Sequence, residues 1–268
     1  MTKRSRGASG PDLFAAPAER RRREQAPLAE RMRPRRLDEV VGQQHLVGPG
    51  RLVERIVASG RLGSLILWGP PGTGKTTLAG VIAASTEAEF VRFSAVLSGV
   101  RELRDVIDAA DRRLAELGRQ TVLFVDEIHR FNKAQQDAFL PHVENGTIVL
   151  IGATTENPSF EVIAPLLSRA SVLTLEPLTV DDLTALVDRA LDDRERGLGD
   201  GGWTIEADAR AFLVQRAHGD ARSALNLLEA STRLASARGA GSLSIDVVEE
   251  AAQQRAVRYD KAGDEHFN

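Results

Sequence analysis

Two adjacent carboxylates end a strongly apolar stretch of the sequence. Asp126 and Glu127 follow residues 122–125, a run with no polar alternation. Such a run is typical of a central strand in a parallel sheet that is covered on both faces. Two acids at the tip of a buried strand are costly to leave without a partner. The pattern therefore predicts a cation, an ordered water or a substrate beside them.

A glycine-rich loop with a lysine lies earlier in the chain, between an apolar run and a helical pattern. Its residues are Gly69, Pro70, Pro71, Gly72, Thr73, Gly74, Lys75 and Thr76, followed by Thr77. The loop matches G-x-x-x-x-G-K-[ST] in the strand–loop–helix context that this motif requires. Glycines let backbone N–H groups approach a polyphosphate, and the helix N-terminus adds its positive dipole end. We expect Lys75 to reach the β- and γ-phosphates of ATP and Thr76 to bind Mg²⁺.

A nucleotide bound at this phosphate loop would bring Mg²⁺, the cation that the two carboxylates need. Asp126 is expected to hold the same Mg²⁺ through water, while Glu127 orients and polarises the attacking water. The alternative is an acid pair at a helix N-terminus that serves the helix dipole. The presence of the loop upstream favours the nucleotide interpretation.

A second apolar segment, "LIGATTENPSF", also ends in polar residues. In a parallel sheet it would end at the same rim as Asp126, where open α/β sheets bind ligands. Thr155 is the best candidate there to contact the attacking water or the γ-phosphate. The alternative is a hydroxyl that ends the strand through a local turn.

Two arginines are further candidates. Arg169 precedes a predicted strand, where it can project from an edge of the domain toward a neighbour's γ-phosphate. An ordinary surface arginine is the alternative. Arg222 begins a helix of the second half and can reach back to the phosphates if that half folds over the loop. A cation at a helix N-terminus is unfavourable unless an anion faces it, which favours the functional interpretation.

Five apolar segments alternate with helical patterns and are predicted to be strands. They are Ser64–Trp68, Glu89–Phe93, Thr121–Val125, Thr147–Ala153 and Ser171–Leu175. One of the helices between them is indicated by apolar residues at helical spacing from Val100 to Leu114. Strands that alternate with helices imply a parallel sheet, so this half of the chain is predicted to be α/β.

After Pro177 the strand signal stops and helical patterns continue. Thr179 and Asp182 have the spacing of a capping box, which predicts the start of a helix. After a Gly-rich break, further helices are predicted near residues 207–217, 221–235 and 244–253. The second half is therefore predicted to be a small all-helical domain.

The composition excludes several classes of protein. With 268 residues, 42% of them hydrophobic and 27% charged, the chain can form one large domain or two modest ones. Because it contains no cysteine, it has no disulfide, no thiol nucleophile and no Cys-ligated zinc. No apolar run approaches the ~20 residues of a membrane span, and the basic N-terminus lacks the apolar stretch of a signal peptide. We expect a cytoplasmic protein without a membrane partner.

The net charge of −3 hides an uneven distribution. Residues 1–36 contain 11 Lys and Arg against four Asp and Glu, and the rest of the chain contains 24 against 34. The four consecutive arginines at residues 20–23 can contact nucleic-acid phosphates. A solvated, disordered basic tail over residues 1–26 is the alternative, since few residues there can form a core.

Together, these motifs resemble the AAA+ ATPases, and within them the replication-associated recombination protein A family, to which the eukaryotic Werner-helicase-interacting ATPase is related. The resemblance rests on GPPGTGKTT, VLFVDEIHRF, IGATTENPSF, LLSRA and GDARSALN and covers roughly residues 27–268. It implies a P-loop core with a five-stranded parallel sheet over residues 27–177. It also implies a helical lid over residues 178–256.

The resemblance implies a role for each candidate residue. The implied assignments are Gly69–Thr76 as Walker A, Asp126 and Glu127 as Walker B, Thr155 as sensor 1, Arg169 as an arginine finger acting on a neighbouring subunit, Arg222 as sensor 2, and Val41 and Gly42 as the lining of the adenine pocket.

What the resemblance implies for function is an Mg²⁺-dependent, DNA-stimulated ATPase. Family members act on DNA at stalled or gapped replication forks, so single-stranded, gapped or forked DNA is the expected partner and the nucleoid the expected location. A Holliday-junction branch-migration motor and a clamp-loader-like subunit are alternatives within the same chemistry. A nucleotide-gated scaffold with dispensable hydrolysis is an alternative of another class.

Family members also continue into a C-terminal oligomerisation domain. Residues 257–268 are interpreted as a connector to that domain, which is expected to be missing because the sequence stops at Asn268. Homo-oligomers are expected of the full-length family. For this chain the expectation of an oligomer is weaker. The expectation that Arg169 acts on a neighbouring subunit is weaker for the same reason.

The segment "GPDLFAAPA" near the N-terminus loosely resembles the peptides that bind bacterial sliding clamps. Leu13 and Phe14 would be its anchors, although the usual leading glutamine is missing. An apolar pair in a flexible tail without a partner is the alternative.

Overall fold

The structure of the chain, a computed structural model, describes residues 26–60, 62–86, 88–94 and 100–264. Within these ranges the side chains of residues 94, 100, 101 and 255–264 are not described. The arginine run at residues 20–23 and the predicted clamp anchors Leu13 and Phe14 lie outside the described residues.

The first half of the chain alternates helices and strands, as predicted. Its elements are α1 Leu28–Arg31, a 3₁₀ turn Leu37–Glu39, α2 Gln44–Val47, α3 Leu52–Ser59, β1 Ser64–Trp68, α4 Lys75–Ser85, β2 Glu89–Ser94, α5 Val100–Leu117, β3 Thr121–Asp126, a second 3₁₀ turn Ile128–Arg130, α6 Lys133–Asp137, α7 Leu140–Glu144, β4 Ile148–Thr154, α8 Pro158–Glu161, α9 Ala164–Leu167 and β5 Ala170–Thr174.

The five long strands form one parallel sheet in the order β2-β3-β4-β1-β5. The predicted five-stranded parallel sheet is confirmed, and each strand begins and ends within one residue of its predicted limits. β3, β4 and β1 are central and almost wholly buried, because each has apolar residues on both faces. Parallel pairing brings the carboxyl ends of these strands to one edge, which carries the candidate residues.

Alternate residues of the central strands pack into two apolar layers. Leu65, Phe124 and Ile151 lie on the face that packs against α4 and the N-terminal helices. Ile66 and Leu123 lie on the opposite face, with α5 and the segments from α6 to α9. The sheet is therefore fixed on both sides, and its loops are held over a rigid support.

The second half of the chain is helical. Its elements are α10 Val180–Asp192, a 3₁₀ turn Gly199–Gly201, β6 Thr204–Ile205, α11 Ala207–Arg216, α12 Ala221–Ala237, β7 Ser242–Leu243 and α13 Ile245–Asp264. The predicted capping box is present, since Asp182 N–H donates to Thr179 Oγ1 (3.1 Å) and Thr179 N–H donates to Asp182 Oδ2 (3.0 Å). The two-residue strands β6 and β7 pair in parallel and were not predicted. We call residues 178–264 the lid.

An N-terminal segment, residues 27–41, packs against the lid, and we call it the strap. The sequence analysis grouped the strap with the core. Leu28 is fully buried and Met32 is 4% exposed, both inside the apolar cluster of the lid. Arg31 Nη1 also donates to the carbonyl of Gly197 (3.0 Å), and Arg189 Nη1 donates to the carbonyl of Glu39 (2.7 Å). These contacts tie the strap to the lid, while Leu37 of the strap packs against the apolar layer of the sheet.

In the part of the chain that the structure describes, none of the helices has the length and apolarity needed to cross a bilayer.

Candidate nucleotide-binding site

A cavity of about 550 Å³ lies between the carboxyl edge of the sheet and the lid. Its walls come from the strap, the phosphate loop, the ends of β3 and β4, and the first turns of α12. The volume is in the range typical of small-molecule sites, which span roughly 300–1,000 Å³. Most of the predicted residues meet here although they are far apart in the chain.

The phosphate loop connects β1 to α4. The N–H of Gly69 donates to the carbonyl of Thr154 (3.2 Å), which continues the sheet pairing into the loop. Lys75 is the first residue of α4, and its Nζ donates to the carbonyls of Gly69 (2.7 Å) and Pro70 (2.8 Å). Lys75 is 8% exposed. Burial lowers the pKa of its ammonium, and the nearby Asp126 and Glu127 carboxylates oppose that shift.

Gly72 is the point where the loop touches the lid. The Ala221 N–H donates to the Gly72 carbonyl (3.2 Å), and a Cβ at Gly72 would lie 2.0 Å from Oδ1 of Asp220. The φ angle of Gly72 is +72°, a conformation that L side chains rarely adopt. Glycine is therefore required here for two reasons, the backbone conformation and the approach of Asp220.

The two carboxylates follow one another at the end of β3. Asp126 is the exposed last residue of the strand, and its Oδ1 accepts the N–H of Glu127 (3.2 Å). Glu127 adopts a left-handed conformation with φ +52°. Such a backbone is costly for a residue with a Cβ, and residues held in it cluster at functional sites. Both residues line the cavity.

The groups around the cavity fit a Mg²⁺–triphosphate. Thr76 and Asp126 both line it and offer a hydroxyl and a carboxylate oxygen. Among the described residues no group of three or more His, Cys, Asp or Glu could hold a metal ion by itself. Mg²⁺ bound with a nucleotide needs no such group, because it takes one or two protein oxygens and completes its shell with phosphate and water.

Thr155 and Arg222 also line the cavity. Thr155 directly follows the last residue of β4, as the sequence predicted. Arg222 lies in the first turn of α12, whose N-terminus is capped by Asp220 through the Ser223 N–H (2.9 Å). The Arg222 guanidinium therefore lies at a helix N-terminus that faces the phosphate loop. A bound anion there would offset the repulsion between this cation and the positive end of the helix dipole.

The resemblance implies Val41 and Gly42 as the lining of an adenine pocket, and the structure places them differently. Val41 lines the cavity, whereas Gly42 is buried outside it. A Cβ at Gly42 would lie 2.7 Å from Leu178 Cδ2 and 3.1 Å from Asp182 Oδ2, so the glycine allows the strap to pack on the lid. Gly69 and Pro70 also lie outside the lining, and they contribute the carbonyls that accept from Lys75.

The chain matches two family models in this order. The model of the ATPase family associated with various cellular activities (AAA) matches residues 65–178, and the AAA C-terminal domain matches residues 199–268. The solved structure of the RuvB Holliday junction branch migration motor of Thermotoga maritima is 30% identical, with a TM-score of 0.68 over 83% of this chain and 72% of that one. The chain belongs to the AAA ATPase family.

Within that family the chain is homologous to curated proteins from bacteria and from a eukaryote. Replication-associated recombination protein A of Escherichia coli K12 is 48% identical over 244 residues, which are 90% of this chain and 54% of that protein. ATPase WRNIP1 of Dictyostelium discoideum is 47% identical over 204 residues, 76% of this chain and 23% of that protein. The chain thus spans about half the length of its bacterial relative.

Arg169 of this AAA ATPase lies outside the lining of its own cavity. The residue is exposed between α9 and β5, where its Nη2 lies 2.6 Å from Oε1 of Glu144. Its Nη1 donates to the carbonyl of Pro165 (2.9 Å) and to Ser168 Oγ (3.0 Å). An arginine that acts on a neighbouring subunit must project away from its own nucleotide, so this position suits the role that the resemblance implies.

Several residues of the strap, among them Arg33, line the cavity together with Gln43, and the sequence analysis missed them. Arg33 pairs through Nη2 with Glu30 (2.8 Å), while its buried Nη1 has no hydrogen-bond partner among the described residues. Gln43, which is 7% exposed, binds Glu176 through both amide atoms (2.7 and 3.0 Å). Neither residue belongs to a motif with fixed spacing, so only the folded chain shows their position.

Proposed function

We propose that the chain is an Mg²⁺-dependent ATPase whose turnover is stimulated by DNA at stalled or gapped replication forks. The observation that carries the proposal is the convergence of Lys75, the Asp126–Glu127 pair and Arg222 on one cavity. These residues are far apart in the sequence and come together only in the folded chain. A cation cluster beside two carboxylates is the arrangement that phosphoryl transfer needs.

Binding of the triphosphate is assigned to the phosphate loop and three cations. Lys75 would exchange its bonds to the Gly69 and Pro70 carbonyls for phosphate oxygens. Arg222 faces the loop from the lid, and Arg33 offers the unpaired Nη1 from the strap. A bound triphosphate would offset the repulsion between these three cations.

Hydrolysis is assigned to the edge of the sheet. Glu127 would orient and polarise the attacking water, and Thr155 would contact that water or the γ-phosphate. Thr76 and Asp126 would hold Mg²⁺, which neutralises the charge that develops on the phosphate oxygens. Because α12 contacts the loop at Gly72, the presence of the γ-phosphate can be passed on as movement of the lid and strap.

The DNA-linked part of the proposal is supported by the homologous proteins. The name of the Escherichia coli protein refers to replication-associated recombination, and that of the solved structure refers to Holliday junction branch migration. We infer single-stranded, gapped or forked DNA as the partner and a nucleoid-associated, cytoplasmic location. We also infer a homo-oligomer in which Arg169 serves the site of a neighbour.

Steady-state ATP hydrolysis, with and without single-stranded, forked and four-way-junction DNA, tests the proposal. Wild type, Lys75→Ala and Glu127→Gln are compared, with a non-hydrolysable ATP analogue to measure affinity. Lys75→Ala should lose analogue binding. Glu127→Gln should keep binding while turnover falls by about a hundredfold, because the group that activates water is removed. Equal turnover of wild type and Glu127→Gln would refute the mechanism and favour a nucleotide-gated scaffold.

A further inference from the structure

A histidine beside the cavity bridges two strands of the sheet. His129 lies in the 3₁₀ turn that follows β3, two residues after Glu127. Its Nε2 lies 3.3 Å from Oε2 of Glu127, and its Nδ1 lies 2.9 Å from Oγ1 of Thr154. The imidazole therefore connects the water-activating carboxylate to the last residue of β4.

The hydrogen bonds around Thr154 indicate where the ring proton lies. Thr154 is fully buried, and its Oγ1 accepts the N–H of Glu156 (3.0 Å). The Thr154 hydroxyl can donate to His129 Nδ1 (2.9 Å) or to the Glu156 carbonyl (3.3 Å), and the Glu127 carboxylate, which can only accept, favours a proton on Nε2 and leaves Nδ1 as an acceptor. With Nδ1 as acceptor, the neutral ring carries its proton on Nε2, which faces the Glu127 carboxylate.

The backbone around Glu127 leaves its side chain in need of such a partner. The left-handed conformation is held by the Arg130 N–H, which donates to the Glu127 carbonyl (2.9 Å), and by Ile128, which is fully buried. These contacts fix the backbone and the Cβ of Glu127, and they leave its carboxylate group free to move. The Glu127 side chain is 35% exposed, whereas the His129 side chain is 17% exposed and bonded to Thr154.

We propose that His129 is a positioning residue that holds the Glu127 carboxylate in place and ties it to the end of β4. This inference rests on the proposed function, since it concerns the group that activates water. Thr155, the next residue after Thr154, lines the same cavity. The two groups expected to contact the attacking water are thereby held to one another through the imidazole and the Thr154 hydroxyl.

Two amide substitutions separate the two contacts of the ring. The amide nitrogen of a glutamine reaches the position of Nε2, whereas an asparagine reaches only that of Nδ1. His129→Gln therefore keeps a donor toward Glu127, and His129→Asn keeps only the contact with Thr154. His45→Gln is the matched control, because His45 bonds the Thr174 carbonyl (2.9 Å) and does not line the cavity.

The readouts are kcat for ATP, the affinity of a non-hydrolysable ATP analogue and the melting temperature. We expect kcat to fall about tenfold or more in His129→Ala and His129→Asn, and clearly less in His129→Gln, because small displacements of a reacting group cost large factors in rate. Analogue affinity should stay within about twofold of wild type. In a Glu127→Gln background, His129→Ala should cause no further loss of kcat.

Two results would overturn the assignment of His129. One is a kcat for His129→Ala within about twofold of wild type. The other is His129→Asn retaining as much kcat as His129→Gln, which would show that only the packing beside Thr154 matters. Failure of the ATPase proposal gives a different pattern, in which Lys75→Ala and Glu127→Gln match wild type, and it would overturn both.

Discussion

The backbone N–H of Ala221, the first residue of α12, donates a hydrogen bond to the carbonyl of Gly72 in the phosphate loop (3.2 Å). The lid and the loop are therefore in direct contact through their main chains. Asp220, which caps α12, fills the space where a side chain at position 72 would lie. The strap adds to this coupling, because Leu28 and Met32 pack in the lid while Arg33 lines the cavity.

Gly72→Ala tests the contact between loop and lid. The added Cβ would lie 2.0 Å from Asp220 Oδ1 on a backbone with φ +72°, so the Asp220 side chain must leave its cap on α12 or the lid must move away from the loop. We expect the affinity for an ATP analogue to fall by about tenfold or more. Isothermal titration with the analogue measures this loss.

Gly80→Ala is the control for that variant. Gly80 lies in α4, and a Cβ there would meet no atom within 4 Å. Alanine should raise the free energy of unfolding by about 0.5–1 kcal/mol and leave the affinity unchanged. Unchanged affinity in Gly72→Ala would show that the loop binds nucleotide without the lid.

Arg33→Ala tests the cation that the strap brings to the cavity. Nη1 is buried without a hydrogen-bond partner among the described residues, so an anionic ligand would satisfy it. We expect binding of the ATP analogue to weaken by about tenfold or more, since a charge-assisted hydrogen bond is worth roughly 1.5–3 kcal/mol. Arg36→Ala is the control, because Arg36 pairs with exposed Asp38 (3.1 Å) outside the cavity. Wild-type affinity in Arg33→Ala would leave Arg33 with a structural role beside Glu30.

Glu39→Gln tests the ion pair that holds the strap to the lid. The Arg196 Nη1 donates to Glu39 Oε2 (2.8 Å), and this bond lowers the pKa of Glu39 from its usual value of 4.5. A carboxylate with a lowered pKa in the folded state stabilises the fold above the unfolded pKa and loses that contribution as the pH falls. We expect Glu39→Gln to lose about 1 kcal/mol of the free energy of unfolding at neutral pH.

The loss in Glu39→Gln should shrink as the pH falls below 4.5 toward the lowered pKa, where wild type becomes protonated too. Urea unfolding at several pH values measures the difference. Asp38→Asn is the control and should cost less than about 0.5 kcal/mol, because its pair with Arg36 is exposed on both sides. A loss that does not depend on pH would contradict the assignment to the carboxylate.

The sheet and the phosphate loop were predictable because their signals are local. An apolar run such as residues 122–125 already specifies a buried strand, and the spacing from Gly69 to Thr76 specifies its motif. Parallel strands must end at one edge, so the neighbourhood of Asp126 and Thr155 followed from topology alone.

Other features depend on contacts between distant segments and have no local signal. Leu28 and Met32 have the pattern of any short amphipathic turn, and nothing in it shows that they pack in the lid. β6 and β7 have two residues each, too few for an alternating pattern. The left-handed backbone of Glu127 and its contact with His129 arise from how the turn after β3 packs against β4.

Arg169→Ala tests whether this residue serves a neighbouring subunit. Its guanidinium is paired with Glu144 (2.6 Å) and does not line the cavity of its own chain. Removing it should therefore leave the affinity for the ATP analogue within about twofold of wild type. Turnover should fall by about a hundredfold or more in samples that assemble, because an arginine finger contributes to the transition state and not to ground-state binding.

Mixing experiments decide between action within a chain and action between chains. When Arg169→Ala is mixed with Lys75→Ala, assembled particles contain intact sites made from one chain of each kind, and turnover should partly recover. Sedimentation velocity of the same mixtures shows whether they assemble in the presence of ATP and DNA. Assembly without recovery would show that Arg169 serves the site of its own chain. Undiminished turnover of assembled Arg169→Ala alone would place Arg169 outside the reaction, and its pair with Glu144 would then only fasten α7 to the end of α9.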